Sequence, residues 1–152
     1  MFEALHEHVT HRIELPMPIE ACFPLFTAQG ETLWVPDWHP VYVYPADGHT
    51  TQGMVFITGQ CDETTYWTMV DYDPLHHFSR YARVTPGSRS VMVEVRCEAV
   101  AENTTAVQVS YTLTGLSEAG NQSIRTFVGD AYVAMIEEWR TLILAWLARS
   151  AG

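Results

Sequence analysis

Lysine is absent from this 152-residue chain. All eight basic side chains are arginine, so no lysine Schiff base and no lysine general base can operate here. Positive charge is scarce as well, and 18 acidic residues against those eight leave a formal net charge of −10. An acidic surface repels phosphate backbones, so no nucleic-acid partner is expected. Cysteine is sparse too: Cys22, Cys61 and Cys97 are odd in number and form no CxxC pair. That pattern fits reduced thiols in a cytoplasmic protein, not a disulfide framework. No apolar run reaches the roughly 18 residues of a membrane span. The stretch from Met1 to His8 carries acids where a signal peptide would place basic residues and an apolar segment. A cytoplasmic location follows as the expectation. Asn103-Thr104-Thr105 and Asn121-Gln122-Ser123 match glycosylation sequons, which carry little weight without a secretory signal. Also missing are a Gly-rich phosphate loop, a G-x-S-x-G elbow and a Cys–His arrangement that can be placed, so no cofactor is expected.

What is present reads as one domain spanning residues 1–152, with no repeat, linker or low-complexity tract. A compact chain of this length buries roughly 70% of its unfolded surface, enough for a core without disulfides or a structural metal. Between residues 8 and 15, Val9, His11, Ile13 and Leu15 alternate with His8, Thr10, Arg12 and Glu14, the period of a strand with one buried face. Pro16 and Pro18 end it, and residues 19–26 fit a short helix that Pro24 limits or kinks. Residues 27–40 read as a second short helix and an aromatic turn. Six further strands are expected at 41–44, 53–59, 65–72, 77–84, 91–100 and 105–114. The turn chemistry of Ala46-Asp47-Gly48, Asp73-Pro74, Pro86-Gly87-Ser88 and Glu102-Asn103 separates them. Strands joined so closely are natural antiparallel neighbours.

From Ile124 onward, Phe127, Val128, Ala131, Tyr132, Met135, Ile136, Trp139, Leu142, Ile143 and Trp146 recur at offsets of three and four. Arg125, Asp130, Glu137, Glu138 and Arg140 fall between them. The spacing predicts one amphipathic helix, capped by Ser117 and running to about Ala148. Thirty residues at ~1.5 Å each span about 45 Å, so this helix must lie across the sheet. The order strand, two short helices, six strands, long helix makes an α+β two-layer fold.

That order is similar to the helix-grip fold of the START/Bet v 1-like (SRPBCC) superfamily, the polyketide cyclase/dehydrase and lipid-transport group. Its local carriers are Pro16-Met17-Pro18-Ile19-Glu20, the Trp34-Val35-Pro36-Asp37-Trp38 turn and Gly53-Met54-Val55-Phe56. Further on come the segment from Thr65 to Pro74, Tyr81-Ala82-Arg83-Val84-Thr85-Pro86-Gly87, and the run from Val109 to Glu118. The resemblance implies a curved antiparallel seven-stranded sheet wrapped around a long C-terminal helix, two short helices after the first strand, and an apolar cavity between sheet and helix. These are fold markers, and fold alone does not assign an activity.

The candidate site is drawn from residues that would face that cavity: Trp34, Trp38, His39, Trp67, Tyr81, Arg83, Tyr111, Phe127, Val128, Ala131, Tyr132 and Met135. The aromatics either fill the core or line a pocket, where Tyr and Trp each bring one polar handle. Trp34 and Trp38 fall on the loop and suit part of a lid. Tyr81 and Arg83 share one strand face; Arg80, Ala82 and Val84 share the other. If the first faces inward, a guanidinium and a phenol stand ready for a carboxylate or enolate oxygen. If the second does, Arg83 is solvated. His11, on the apolar face of the first strand, is either a satisfied core residue or a general base, with His39 second. No metal site is expected: His6-Glu7-His8-Val9-Thr10-His11 lacks the second histidine of HExxH, and in a strand the adjacent His76 and His77 would point apart. Asp71 and Asp73 suit the turn at Pro74, and Glu137 and Glu138 fall on the polar side of the helix. Gly129 stands mid-helix at a cost of about 1 kcal/mol, which close approach to a strand or a ligand would offset.

Three functions are carried forward. The first is binding of a hydrophobic small molecule, a lipid, polyketide-like or aromatic metabolite, by a monomer or homodimer. The second is a polyketide cyclase or dehydratase using the same cavity, with His11 or a tyrosine moving protons and Arg83 steadying an enolate. The third is a protein-interaction or stress-regulatory module.

Overall fold

Pro16 and Pro18 stop the first strand as expected, and the chain turns at once into short helical pieces. The computed structural model describes residues 1–60 and 63–151, so Cys61 lies outside the described residues. Strand β1 (His6–Leu15) leads to α1 (Ile19–Cys22), a 3-10 turn (Phe23–Phe26) and α2 (Ala28–Glu31). Pro24 sits at the start of the 3-10 turn, which is why α1 ends after one turn. Thr27 caps α2: its Oγ1 accepts from the Gly30 amide at 3.0 Å and donates to the Pro24 carbonyl at 2.8 Å.

Strands β2 (Val41–Tyr44), β3 (Val55–Gln60), β4 (Glu63–Asp73), β5 (Phe78–Thr85), β6 (Arg89–Ala101) and β7 (Thr104–Gly115) follow. All pair antiparallel in one sheet of order β1-β7-β6-β5-β4-β3-β2. Among the described residues only the β1–β7 pairing joins strands distant in sequence; the others join strands successive in the chain, and short connections favour such neighbours. The register builds two inward rows. Trp67, Arg83, Val91 and Leu113 stand opposite one another in turn, as do Met69, Tyr81, Val93, Tyr111 and Val9. Ser79, Tyr81 and Thr85 are all buried, so the odd-numbered face of β5 points inward and carries Arg83 with it. His76 and His77 lie in the β4–β5 turn, not on a strand, and each takes its own carboxylate, Asp73 at 2.8 Å and Glu20 at 3.0 Å.

The C-terminal helical segment is present, but in two pieces, α3 (Glu118–Phe127) and α4 (Asp130–Ala151). Ser117 caps α3 by accepting from Gly120 N at 3.0 Å. The break falls at Gly129, whose φ of +77° is a left-handed conformation. This corrects the continuous helix read from periodicity: heptad-like spacing survives the kink because the apolar stripe resumes on the same side. A Cβ at Gly129 would meet nothing within 4 Å, so glycine is needed there for its backbone and not for close approach. The kink leaves Ala131 exposed, while Tyr132, Ile136 and Ile143 form the buried edge of α4. At ~1.5 Å per residue the 22 residues of α4 run about 33 Å over the sheet. Tyr132 donates its hydroxyl to the Val109 carbonyl, and Arg140 Nε donates to Glu14 O at 3.1 Å, fixing α4 to β7 and β1. Cys22 and Cys97 are buried free thiols in the core between α1 and β6.

Candidate functional site

Arg83 is the anomaly in an otherwise apolar row. Its guanidinium carbon lies 5.1 Å from the Trp67 ring centre and 5.4 Å from that of Tyr111, an aromatic clamp on the cation. Its Nε is buried with no hydrogen-bond partner among the described residues. Burying a guanidinium is costly unless something satisfies it, which makes this atom the first pointer to a site.

The space that Arg83 faces is a cavity of about 390 Å³, within the usual range for small-molecule sites. Glu31 of α2, Trp38 and His39 of the following loop, Thr58 of β3, Thr65 and Trp67 of β4, Tyr111 of β7 and Trp139 of α4 line it. Toward the core a void of about 30 Å³ continues it, sharing Glu31, Trp67, Tyr111 and Trp139 and adding Phe26, Tyr81, Val93 and Val95. At the mouth Arg89 holds Glu63 by two hydrogen bonds of 3.2 Å, which keep that carboxyl below its ordinary range. Asp37, at φ +58°, turns the loop so that Trp38 folds back over the sheet, its Nε1 donating to Ala28 O at 2.8 Å.

Trp38, Phe56, Trp67 and Tyr81 form one connected aromatic wall. Phe56 stacks on Trp67 at 5.3 Å, and Trp38 meets the Trp67 edge at 5.7 Å. Trp67 Nε1 donates to Thr58 Oγ1 at 2.9 Å and Tyr81 OH to Phe26 O at 3.1 Å, so both rings are fixed.

The second charged group is Glu31. It stands half-buried on the cavity wall, and burial pushes its carboxyl up from 4.5 to about 8 against the opposing pull of Arg83. Among the described residues Glu31 has no ion pair and no side-chain hydrogen bond: Arg83 acts on it across the cavity and not by contact. Burial lowers Arg83 from its usual value, but a guanidinium stays charged. Tyr111 is raised by burial with Arg83 opposing, and Tyr81 is raised well above the phenol range by burial and then by Glu31, so both remain neutral donors.

Trp38, His39, Trp67, Tyr81, Arg83 and Tyr111 are thus brought together. The remaining expected site residues lie elsewhere. Trp34 is buried in the core against Phe26 and Trp139, its Nε1 donating to Leu25 O at 2.8 Å, so it is no lid. Phe127 and Tyr132 pack on Tyr111 from the side of the helix break. Val128 and Met135 are half-buried core contacts, and Ala131 faces out. His11 faces α4, outside the cavity walls, its Nε2 at 2.6 Å from Glu137 Oε2, and is spent on joining strand to helix. Glu31 was missed as a site residue, and Trp139 was read as an aromatic of core or pocket but left out of the site set. A signal existed for Glu31: it stands three residues before the buried Trp34 and four before Val35, the spacing of one helix face.

A seven-stranded antiparallel sheet curled over a C-terminal helix, with short helices after β1 and a cavity between the layers, defines the helix-grip class of the START/Bet v 1-like superfamily. Solved structures of this kind bear out the fold. Norcoclaurine synthase from Thalictrum flavum superposes with a TM-score of 0.66 at 10% identity, over 95% of this chain and 98% of that one. Ara h 8.0201 gives 0.64 at 14% identity over 92% and 99%. The di-domain ARO/CYC BexL of the BE-7585A biosynthetic pathway gives 0.68 at 13% identity over 90% of this chain and 46% of its own. No curated protein matches the sequence. The family model described as polyketide cyclase / dehydrase and lipid transport matches residues 6–143, and the chain belongs to that family.

Proposed function

We propose that the protein binds a small molecule with an aromatic or otherwise apolar body, seated between sheet and α4, with one oxygen-bearing end against Arg83. The observation that carries this reading is the clamp itself: a guanidinium held between Trp67 and Tyr111, with an unpartnered Nε, on the wall of a 390 Å³ cavity. Membership of a family whose description covers cyclase, dehydrase and lipid transport supports it. Trp38, Trp67 and Trp139 supply flat apolar surface, and the neutral phenol of Tyr111 supplies a hydrogen bond. Native mass spectrometry before and after denaturing extraction, together with titration of the neutral fluorophore N-phenyl-1-naphthylamine, tests the reading. Saturable one-to-one binding or a co-purified apolar compound is expected, and the absence of both would overturn it.

A second reading, catalysis of the cyclase or dehydratase type, draws on a separate observation: a carboxyl and a guanidinium share one cavity without neutralising each other. Glu31, its carboxyl raised to about 8, suits removal of a proton beside a carbonyl whose oxygen Arg83 steadies. Glu31 then stands in the role expected of His11. Turnover abolished in both Glu31→Gln and Arg83→Met, with probe binding retained in the first, would separate catalyst from carrier.

A further inference from the structure

We propose that the cavity selects a monoanionic aromatic acid, and that the anion binds only while Glu31 carries its proton. The inference rests on the binding reading above and specifies the charge of its ligand.

Charge balance on the cavity wall decides which ligand fits. Among the described residues, these charged and titratable groups line the cavity around Glu31. From β5 come Arg83 and Tyr81, from β7 Tyr111, from β4 Glu63, from β6 Arg89, and from the loop Asp37 and His39; α4 presents only the uncharged Trp139. Glu63 and Arg89 cancel each other through their paired hydrogen bonds. Asp37 and His39 are exposed at the mouth, where water screens them. The phenols stay neutral. Inside, that leaves Arg83 and Glu31. With Glu31 protonated the interior carries one uncompensated cation, whose Nε lacks a partner, and a carboxylate satisfies both its charge and its donor. With Glu31 ionised the interior is already neutral, and a second anion would lie beside the first between protein walls that screen it less than bulk water does. A dianion would overfill the site and a neutral ligand would leave Arg83 unsatisfied. The burial that holds the Glu31 carboxyl near 8 puts this exchange within reach of ordinary buffers.

Linkage then fixes the sign and size of the effect. Below about pH 8 the proton is already in place and affinity is flat; above it, affinity for the anion falls about tenfold for each pH unit, because one proton must be bought from solvent.

The probes are 2-naphthoate, ionised throughout the range, and its neutral isostere 2-naphthamide, titrated by tryptophan fluorescence and calorimetry between pH 6 and 9.5. For the wild type, naphthoate affinity is expected to drop about thirtyfold from pH 7 to 9.5 while that of naphthamide holds level. Calorimetry at pH 9 in two buffers of different ionisation enthalpy should register uptake of about one proton per naphthoate. Glu31→Gln should bind naphthoate tightly at every pH, and Arg83→Met should keep the amide and lose the acid. A flat wild-type profile, absence of proton uptake, or a slope that survives in Glu31→Gln would overturn the inference. Binding of N-phenyl-1-naphthylamine without naphthoate would overturn it and leave the apolar-ligand reading intact; failure of every probe would sink both.

Discussion

Replacing Glu31 by glutamine should make the protein more stable in alkali, and the reason lies in where its proton sits. In the unfolded chain the carboxyl titrates at 4.5, whereas in the folded protein burial holds it near 8. The native state therefore binds more protons than the unfolded state between those values. Stability from this group is complete below about pH 4.5, declines as pH rises through 8, and is level above. At about 1.4 kcal/mol for each tenfold change in acidity, the full difference approaches 5 kcal/mol. Glu31 is only half-buried, so solvent screens the charge and a loss of about 2 kcal/mol is the working figure. Glutamine keeps the shape and carries no charge to bury. Urea denaturation followed by tryptophan fluorescence at pH 5, 7 and 9, extrapolated linearly, provides the assay. Wild type and Glu31→Gln should agree within about 0.5 kcal/mol at pH 5 and diverge by about 2 kcal/mol in favour of the variant at pH 9. The carboxylates that hydrogen bonds lower, Glu63, Asp47 and Asp73, lose their contributions only in acid and so drop out of this window. Parallel pH profiles for the two proteins would refute the reasoning, since Glu31 would then be solvated.

Three other perturbations probe the frame around the site. Asn121 is 2% exposed and ties down the N-terminal segment, its Oδ1 accepting from Leu5 N and its Nδ2 donating to Glu3 O, each at 2.9 Å. Asn121→Ala should cost about 2 kcal/mol and accelerate hydrogen exchange at Leu5, while an unchanged Leu5 amide would show that the segment is held by other means. Gly120→Ala drives a methyl onto the Ser88 carbonyl oxygen, the acceptor for Leu116 N at 2.7 Å, so α3 must lift from the β5–β6 hairpin; a loss of about 3 kcal/mol is expected in urea titration. Gly129→Ala meets open space and should cost only the left-handed backbone, about 1–2 kcal/mol, with N-phenyl-1-naphthylamine binding retained. Equal losses in the two glycine variants would contradict the distinction between steric and conformational need.

Strands were legible because period-two alternation is a local property: 41–44 was read to the residue, and the others fell within a few residues of their observed ends. The inward set Val9, His11, Ile13 and Leu15 was equally plain, since the opposite face carries only polar groups. On β5 both faces offer an apolar claim, Tyr81 on one and Ala82 with Val84 on the other, so sequence left the parity open. The neighbouring rows decided it, because Arg83 sits opposite Trp67 and Val91, each inward on its own strand. Gly129 shows the opposite failure: an apolar stripe that continues across a kink reads as one helix, and only the backbone conformation reveals two. Sequence by itself determined the element order, the antiparallel neighbours, the exclusion of lysine chemistry and the set of aromatics available to a pocket. Tertiary structure decided which charges meet there. Glu31 and Arg83 are 52 positions apart and come together only when α2 and β5 close on one cavity, while His11 finds Glu137 on α4 and is taken out of the site. Local spacing carries which face a residue occupies; it carries nothing about which distant face will lie opposite, and the chemistry of this cavity is a property of that pairing.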